Sequence, residues 1–326
     1  MRLAIGSFVM QERPADSSYI LVSLGRWSGA FRNRPSPATP PPPYLPRMTD
    51  GHTAAPKKIA TDHPDDAVEH TLTGDIRRHE SFHSDHLEHD RTILVYLPPD
   101  YDEKSAARYP VLYLHDGQNV FDRATSFGEE WQVDETAEAL IRAGRIEPVI
   151  VVGIYNTGRH RLDEYTPTLR EDIGGGGHAD DYGRMLVMEL KPFIDRTYKT
   201  LPGMENTAMG GSSLGGLLTM HLGLRYATVF GKLAVISPSI WWDGRVILRE
   251  VEALPKKLPE RIWLDAGTAE GPEVIPDARA LRDALVAKGW VLDVDLKYLE
   301  AEGARHDERS WSARVSTVLE FLFPPR

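Results

Sequence analysis

The chain has 326 residues, 41% of them apolar, seven Trp, twelve Tyr, no cysteine and a formal net charge of −10. That length and composition suit one large domain or two ordinary ones around a substantial core, and they exclude disulfides, thiolate zinc sites and cysteine nucleophiles. The charge is uneven: residues 1–47 carry six Arg against Glu12 and Asp16, a net +4, which leaves −14 on residues 48–326, so no nucleic-acid partner and no anionic membrane surface are expected.

At the N-terminus, "YILVSLG" is too short for a signal peptide and follows charged residues. No run approaches the ~18 consecutive apolar residues of a membrane span, so no membrane and a cytoplasmic location are expected. Residues 35–46, "PSPATPPPPYLP", hold seven prolines and cannot join a helix or a sheet. Met48 follows at once, and two readings stand side by side: a translated N-terminal extension, or a true start at Met48. Either way residues 1–71 are expected to lie outside the fold as a disordered extension, and residues 72–326 to form the domain.

The stretch "RRHESFHSDHLEHD" contains His79, His83, His86 and His89. A tight metal site usually needs short ligand spacings on rigid elements. Alternation into "RTILVYL" instead predicts a solvated antiparallel hairpin at a sheet edge, and no metal is expected. Strands are predicted at 91–99, 109–117, 147–156, 232–239, 261–267 and 291–299. The near-continuous apolar character of the runs at 109–117, 147–156, 232–239 and 261–267 suits central parallel strands covered on both faces. Helical periodicity falls at 133–143, 180–197, 214–226, 277–288 and 309–322. The run "GGGG" (174–177) reads as a mobile loop. Strands alternating with amphipathic helices predict one α/β domain with a mostly parallel central sheet flanked by helices.

"NTAMGGSSLGGLLTM" (206–220) raises the chemistry. A phosphate loop would continue Gly-Lys-Ser/Thr, and a dinucleotide fingerprint would read G-x-G-x-x-G; neither spacing is present. Gly-x-Ser-x-Gly is present, as Gly211, Ser213 and Gly215, with a short strand before and a helix after. That is the pattern of a nucleophile elbow, where small residues let the backbone turn sharply around the serine. It selects Ser213 over Ser212, which would need glycine at position 214.

A serine hydroxyl needs a base, and the base a carboxylate to orient it. After Ser213 only His221 and His306 remain. His221 lies two turns down the helix and reads as an ordinary helix residue. His306 lies in the polar loop "EGARHDERSW" and is the candidate base. Glu270, on the loop after "RIWLDAG", is the candidate acid; Asp277 and Asp265 remain alternatives. The N–H groups of Leu214 and Gln118 are the candidate oxyanion hole.

These segments ("VYLPPDY", "YPVLYLHDGQNVFD", "GGSSLGG", "VISPSIWW", "LDAGTAEG" and "GARHDERSW") resemble the "putative esterase" family of α/β-hydrolases. That family includes enterobactin-type siderophore esterases, feruloyl esterases, S-formylglutathione hydrolases and mycolyltransferases. The resemblance covers roughly residues 72–325. It implies an α/β-hydrolase fold and a serine carboxylic-ester hydrolase that needs no metal or organic cofactor. It also implies Ser213 as nucleophile, His306 as base and Gln118 as an oxyanion donor. The acid varies between Asp and Glu across the family, so the resemblance leaves Glu270 open.

Trp241, Trp242 and Trp131 are candidate walls of a substrate pocket, or core residues packed under loops. Asp116 either contacts the alcohol part of a substrate, as the resemblance to mycolyltransferases implies, or caps its loop. Arg159 and Arg161 either hold an anionic substrate group or pair with Asp163 and Glu164. The expected function is a covalent, two-step hydrolysis of a small-molecule ester. An acyltransferase with the same triad and a catalytically silent binding module are the alternatives.

Overall fold

The computed structural model describes residues 57–58 and 70–325; the proline-rich stretch, Met48 and most of the expected N-terminal extension lie outside the described residues. In chain order the elements begin with strands β1 (Lys57–Lys58), β2 (Asp75–Phe82), β3 (Arg91–Leu97) and β4 (Val111–His115). Helix α1 (Val133–Arg142), strand β5 (Ile150–Ile154) and helix α2 (Arg161–Tyr165) follow. A small hairpin, β6 (Leu169–Arg170) and β7 (Gly175–Gly176), leads to α3 (Ala179–Arg184), a π-helical stretch Met185–Leu190 and α4 (Lys191–Thr197). Then come β8 (Thr207–Ser212), α5 (Leu214–Arg225), β9 (Lys232–Ile236) and α6 (Trp242–Ala253). The chain closes with β10 (Arg261–Gly267), α7 (Val274–Lys288), β11 (Leu296–Ala301) and α8 (Glu308–Leu322).

One nine-stranded sheet runs β1-β2-β3-β5-β4-β8-β9-β10-β11. The pairs from β1 to β5 are antiparallel, and every pair from β5 onward is parallel. Alternate residues of the strands feed two separate cores. Val95, Tyr113 and Val152 pack with helices α3 to α7, whereas Leu94, Leu112 and Val151 pack with α1 and α8. Burial of each such Val or Leu contributes about 1.5–3 kcal/mol, so a charge introduced at Val152 would break the sheet at its centre. The parallel strands all end on one edge, and the loops that follow them gather there, where such sheets bind ligands.

Four expectations need correction. Lys57–Lys58 lies in the stretch expected outside the fold, yet it pairs antiparallel with Arg77–Arg78. His70 and Thr71 are tied down too: His70 Nδ1 lies 2.7 Å from Asp122 Oδ2, and Thr71 donates to Glu130. The hairpin β2–β3 exists, but His79 is not solvated. It is buried against Tyr198 and Phe193, and burial pushes its imidazole down to about 4. The last strand begins at Leu296 because Asp295 accepts the Val291 N–H at 2.7 Å and closes residues 291–295 into a turn. The centre of the "GGGG" run, Gly175 and Gly176, is packed: Gly176 N–H donates to Asp163 Oδ1, and a Cβ on Gly176 would meet Thr168 O at 2.6 Å and the Trp242 ring at 2.8 Å. Glycine stands there because two walls close on the backbone.

Candidate active site

Ser213 sits between β8 and α5 with φ 57° and ψ −122°. A non-glycine residue holds such a conformation only where its surroundings impose it. Three backbone hydrogen bonds impose it: Ser213 N–H donates to Ile236 O, and its own carbonyl accepts from the Ser239 and Leu217 N–H groups. A Cβ on Gly211 would lie 3.0 Å from the Gly215 backbone, and one on Gly216 would lie 2.8 Å from Ile236 O. Gly215 is looser, with 3.4 Å to its nearest atom, so the close helix–sheet approach falls one residue later than the motif spacing suggests.

Leu214 and Gln118 each present a backbone N–H that meets no acceptor among the described residues. Gln118 belongs to a short 3₁₀ turn, Gly117–Asn119, after β4. A Cβ on Gly117 would lie 2.5 Å from Ile154 N, which is why glycine holds that position. The turn is fixed from below. Asp116 is left-handed at φ 57° and receives Arg161 on both oxygens at 2.7 Å, with Asn156 Nδ2 at 2.6 Å. Burial pushes the Asp116 carboxyl up, but the Arg161 charge and these hydrogen bonds outweigh it and hold the group below the usual carboxylate range. Asn156 N–H also donates to Gln118 Oε1 at 3.2 Å. Arg161 therefore pairs with Asp116 rather than with Asp163 or Glu164; Glu164 instead binds the buried Arg91.

Glu270 and His306 meet across the loops after β10 and β11. His306 Nδ1 lies 2.7 Å from Glu270 Oε2, and the Glu270 side chain is 0% exposed. Asp307 caps α8 by accepting the Ser310 N–H at 2.8 Å, which sets His306 just ahead of the helix. Trp311 meets the imidazole edge-on with centroids 5.0 Å apart. The two other acids are engaged elsewhere: Asp265 with Arg314 and the Trp263 indole, Asp277 with Arg245. Ser213 Oγ makes no hydrogen bond to His306 in this structure; its hydroxyl neighbour is Ser239 Oγ at 3.4 Å. Such contacts often tighten only with substrate in place.

The tryptophans divide. Trp241 is 53% exposed beside Ser239, whereas Trp242 is fully buried with its indole N–H on Thr168, and Trp131 is buried against Trp311. Trp242 and Trp131 are core residues, because each ring is enclosed on every side. His221 is buried between Asp180 and Glu250 on neighbouring helices, so it ties α3, α5 and α6 together. Asn156, Ser237, Ser239 and Arg314 lie near the site without having been singled out from the sequence; "VISPS", with its small residues after a central strand, hints at Ser237 and Ser239 alone. Among the described residues no group of three or more His, Asp or Glu side chains is arranged to hold a metal ion, and no helix is long and apolar enough to cross a membrane.

A mostly parallel sheet with a strained serine turning from strand into helix defines an α/β-hydrolase. The chain belongs to the "Putative esterase" family, whose sequence model matches residues 84–321, and its reaction class is carboxylic-ester hydrolysis. It is 27% identical over 254 residues to the protein YbbA of Bacillus subtilis, covering 74% of this chain and 95% of that one. It is 28% identical over 208 residues to the ferri-bacillibactin esterase BesA of the same organism, covering 56% and 67%. Among solved structures, the BES protein of Bacillus cereus superposes with a TM-score of 0.63 at 23% identity, over 77% of this chain and 96% of that one.

Proposed function

We propose that the chain hydrolyses a small-molecule ester through a covalent acyl-enzyme on Ser213. The observation that carries this reading is the Ser213 backbone, held at φ 57° and ψ −122° at the C-terminal end of β8. Strain of this kind costs of order 1–3 kcal/mol and has no packing use for a small polar side chain. In the first step Ser213 Oγ attacks the ester carbonyl while His306 Nε2 takes its proton. Glu270, hydrogen-bonded to Nδ1, fixes the tautomer that leaves Nε2 free to accept and stabilises the imidazolium that forms. The N–H groups of Leu214 and Gln118 receive the oxyanion; each such donor is typically worth ~10²–10³ in rate. His306 then returns the proton to the leaving alcohol. In the second step it activates water, which releases the acid and restores the serine.

Exposed apolar side chains surround this edge: Trp241 after β9, Phe127 on the loop after β4, and Leu169 and Ile173 on the β6–β7 hairpin. An ester bearing an aromatic or bulky apolar group fits such a rim. The similarity to a ferri-bacillibactin esterase adds siderophore esters to the panel worth assaying. Labelling with a fluorophosphonate tests the reading: the wild type should label and Ser213→Ala should not. A wild type that resists labelling and hydrolyses no ester of the panel would favour a silent binding module instead.

A further inference from the structure

Ser237 follows β9 and takes no part in the chemistry above, yet its hydroxyl stands at the centre of the buried groups behind Glu270. It is 1% exposed, with φ 41°, a left-handed backbone that a non-glycine residue keeps only where its surroundings over-determine it. Its N–H donates to Asp265 O at 3.0 Å, with Asp265 Oδ1 at 3.2 Å. Three groups converge on its Oγ: Trp311 Nε1 at 3.0 Å, an Arg314 guanidinium nitrogen at 2.9 Å and Glu270 Oε1 at 2.5 Å. Indole and guanidinium can only donate, so they occupy the two lone pairs of the hydroxyl. The one hydroxyl proton is thereby directed onto Glu270.

Gly267 N–H donates to the same Glu270 Oε1 at 2.7 Å. Glu270 thus gives Oε1 to two fixed donors and leaves Oε2 for His306 Nδ1. No solvent reaches the Glu270 side chain, so water cannot replace a donor that is lost. The Arg314 charge, 4.0 Å from Oε1, is balanced by Asp265 at 3.1 Å.

We propose that Ser237 is a positioning residue for ester hydrolysis: backed by Arg314 and Trp311, its hydroxyl holds Glu270 in the one rotation that leaves Oε2 for His306. This rests on the triad reading given above. The charged groups around the pair are Arg314 and Asp265 behind Glu270, and Glu308, Asp307 and Arg305 on the His306 side. Deleting the Ser237 hydroxyl leaves these charges in place but takes an acceptor from Arg314 and from Trp311. It also removes one of the two fixed donors on Oε1, so the carboxylate is no longer held in the rotation that gives Oε2 to His306.

The test is the kcat/KM profile from pH 5 to 9 on a p-nitrophenyl short-chain ester, for the wild type, Ser237→Ala and Ser237→Gly. Both variants lose the hydroxyl, but only Gly relieves the left-handed backbone, so their stabilities part while their pH behaviour stays common. The acidic limb should shift by about one pH unit in both, from the size of one hydrogen bond to a charged group, with the plateau lowered less than about tenfold. An unmoved limb overturns the proposal, whatever happens to the plateau. If the Ala variant does not fold, the Gly variant decides. Ser213→Ala run alongside separates the two levels. Activity retained there sinks the triad itself, whereas an inactive Ser213→Ala with an unmoved limb in the Ser237 variants overturns only the role of Ser237.

Discussion

Replacing Glu270 with Gln keeps the shape of the side chain and inverts one hydrogen bond. Oε1 receives the Ser237 O–H at 2.5 Å and the Gly267 N–H at 2.7 Å, while Oε2 faces His306 Nδ1 at 2.7 Å. A glutamine must therefore set its carbonyl at the Oε1 position, because the flipped amide would point its NH₂ at two donors. The NH₂ then faces His306 Nδ1, which has to accept, and the ring proton moves to Nε2. That is the nitrogen required to take the Ser213 proton. A tautomer error of this type costs a Ser-His-Asp protease about 10⁴ in kcat, and roughly 10³–10⁴, or about 4–5 kcal/mol, is expected here. Glu270→Ala removes the orienting contact but leaves both tautomers accessible, so it should lose about tenfold less. The assay is kcat/KM near pH 7.5 for the three proteins, with thermal unfolding to confirm that each is folded. A Gln variant as active as the Ala variant would refute the reasoning, since the two fixed donors on Oε1 would then not dictate the amide orientation.

Three further outcomes follow from the same geometry. Glu260 is fully buried with both carboxylate oxygens unpartnered, and burial pushes it up to about 7. Its folded value lies above the ordinary carboxylate value, so its contribution is fully present below about pH 4.5 and is lost as pH rises through 7. Glu260→Gln should therefore gain on the wild type by up to about 3 kcal/mol between pH 5 and 8 in urea unfolding, and a pH-independent difference would contradict this. Gly176 has φ 102°, and a Cβ there would lie 2.6–2.8 Å from three atoms, whereas Gly174 has φ 65° with open space around it. Gly176→Ala should cost at least about 2 kcal/mol more than Gly174→Ala in the same denaturant assay, the latter paying only the ~1–2 kcal/mol left-handed penalty. Arg161→Ala leaves the buried Asp116 carboxylate without its cation and should destabilise by about 3 kcal/mol while lowering kcat/KM through the Gln118 turn. Because Asp116 is held below its usual range, that stability difference should shrink as pH falls below about 4.

How far the sequence revealed the molecule depended on the range of the interactions. The α/β architecture was legible because strand and helix periodicities are local, and the strand 261–267 and the helices near 133–143 and 214–226 lie within a residue of where periodicity put them. The turn at Ser213 was legible because glycine spacing reports a local backbone demand. What escaped was long-range pairing. Arg161 has two acids beside it in sequence, yet it binds Asp116, 45 positions away. Trp241 and Trp242 are adjacent, and only the end of a central strand decides that one ring faces out and the other in. The glycine run looked loose because nothing local shows that Trp242 and Thr168 close over it. Ser237 sat in a quoted motif, but its role depends on groups from β10 and α8 that meet only in the fold.

The central claim is that a covalent acyl group forms on Ser213. Intact-mass measurement of the protein quenched in acid during turnover of a slowly deacylated aryl ester tests it most directly, followed by fragmentation of the peptide that carries Ser212 and Ser213. One added acyl mass is expected, on Ser213 and absent in Ser213→Ala. An acyl group on Ser212, or full turnover by Ser213→Ala, would contradict it.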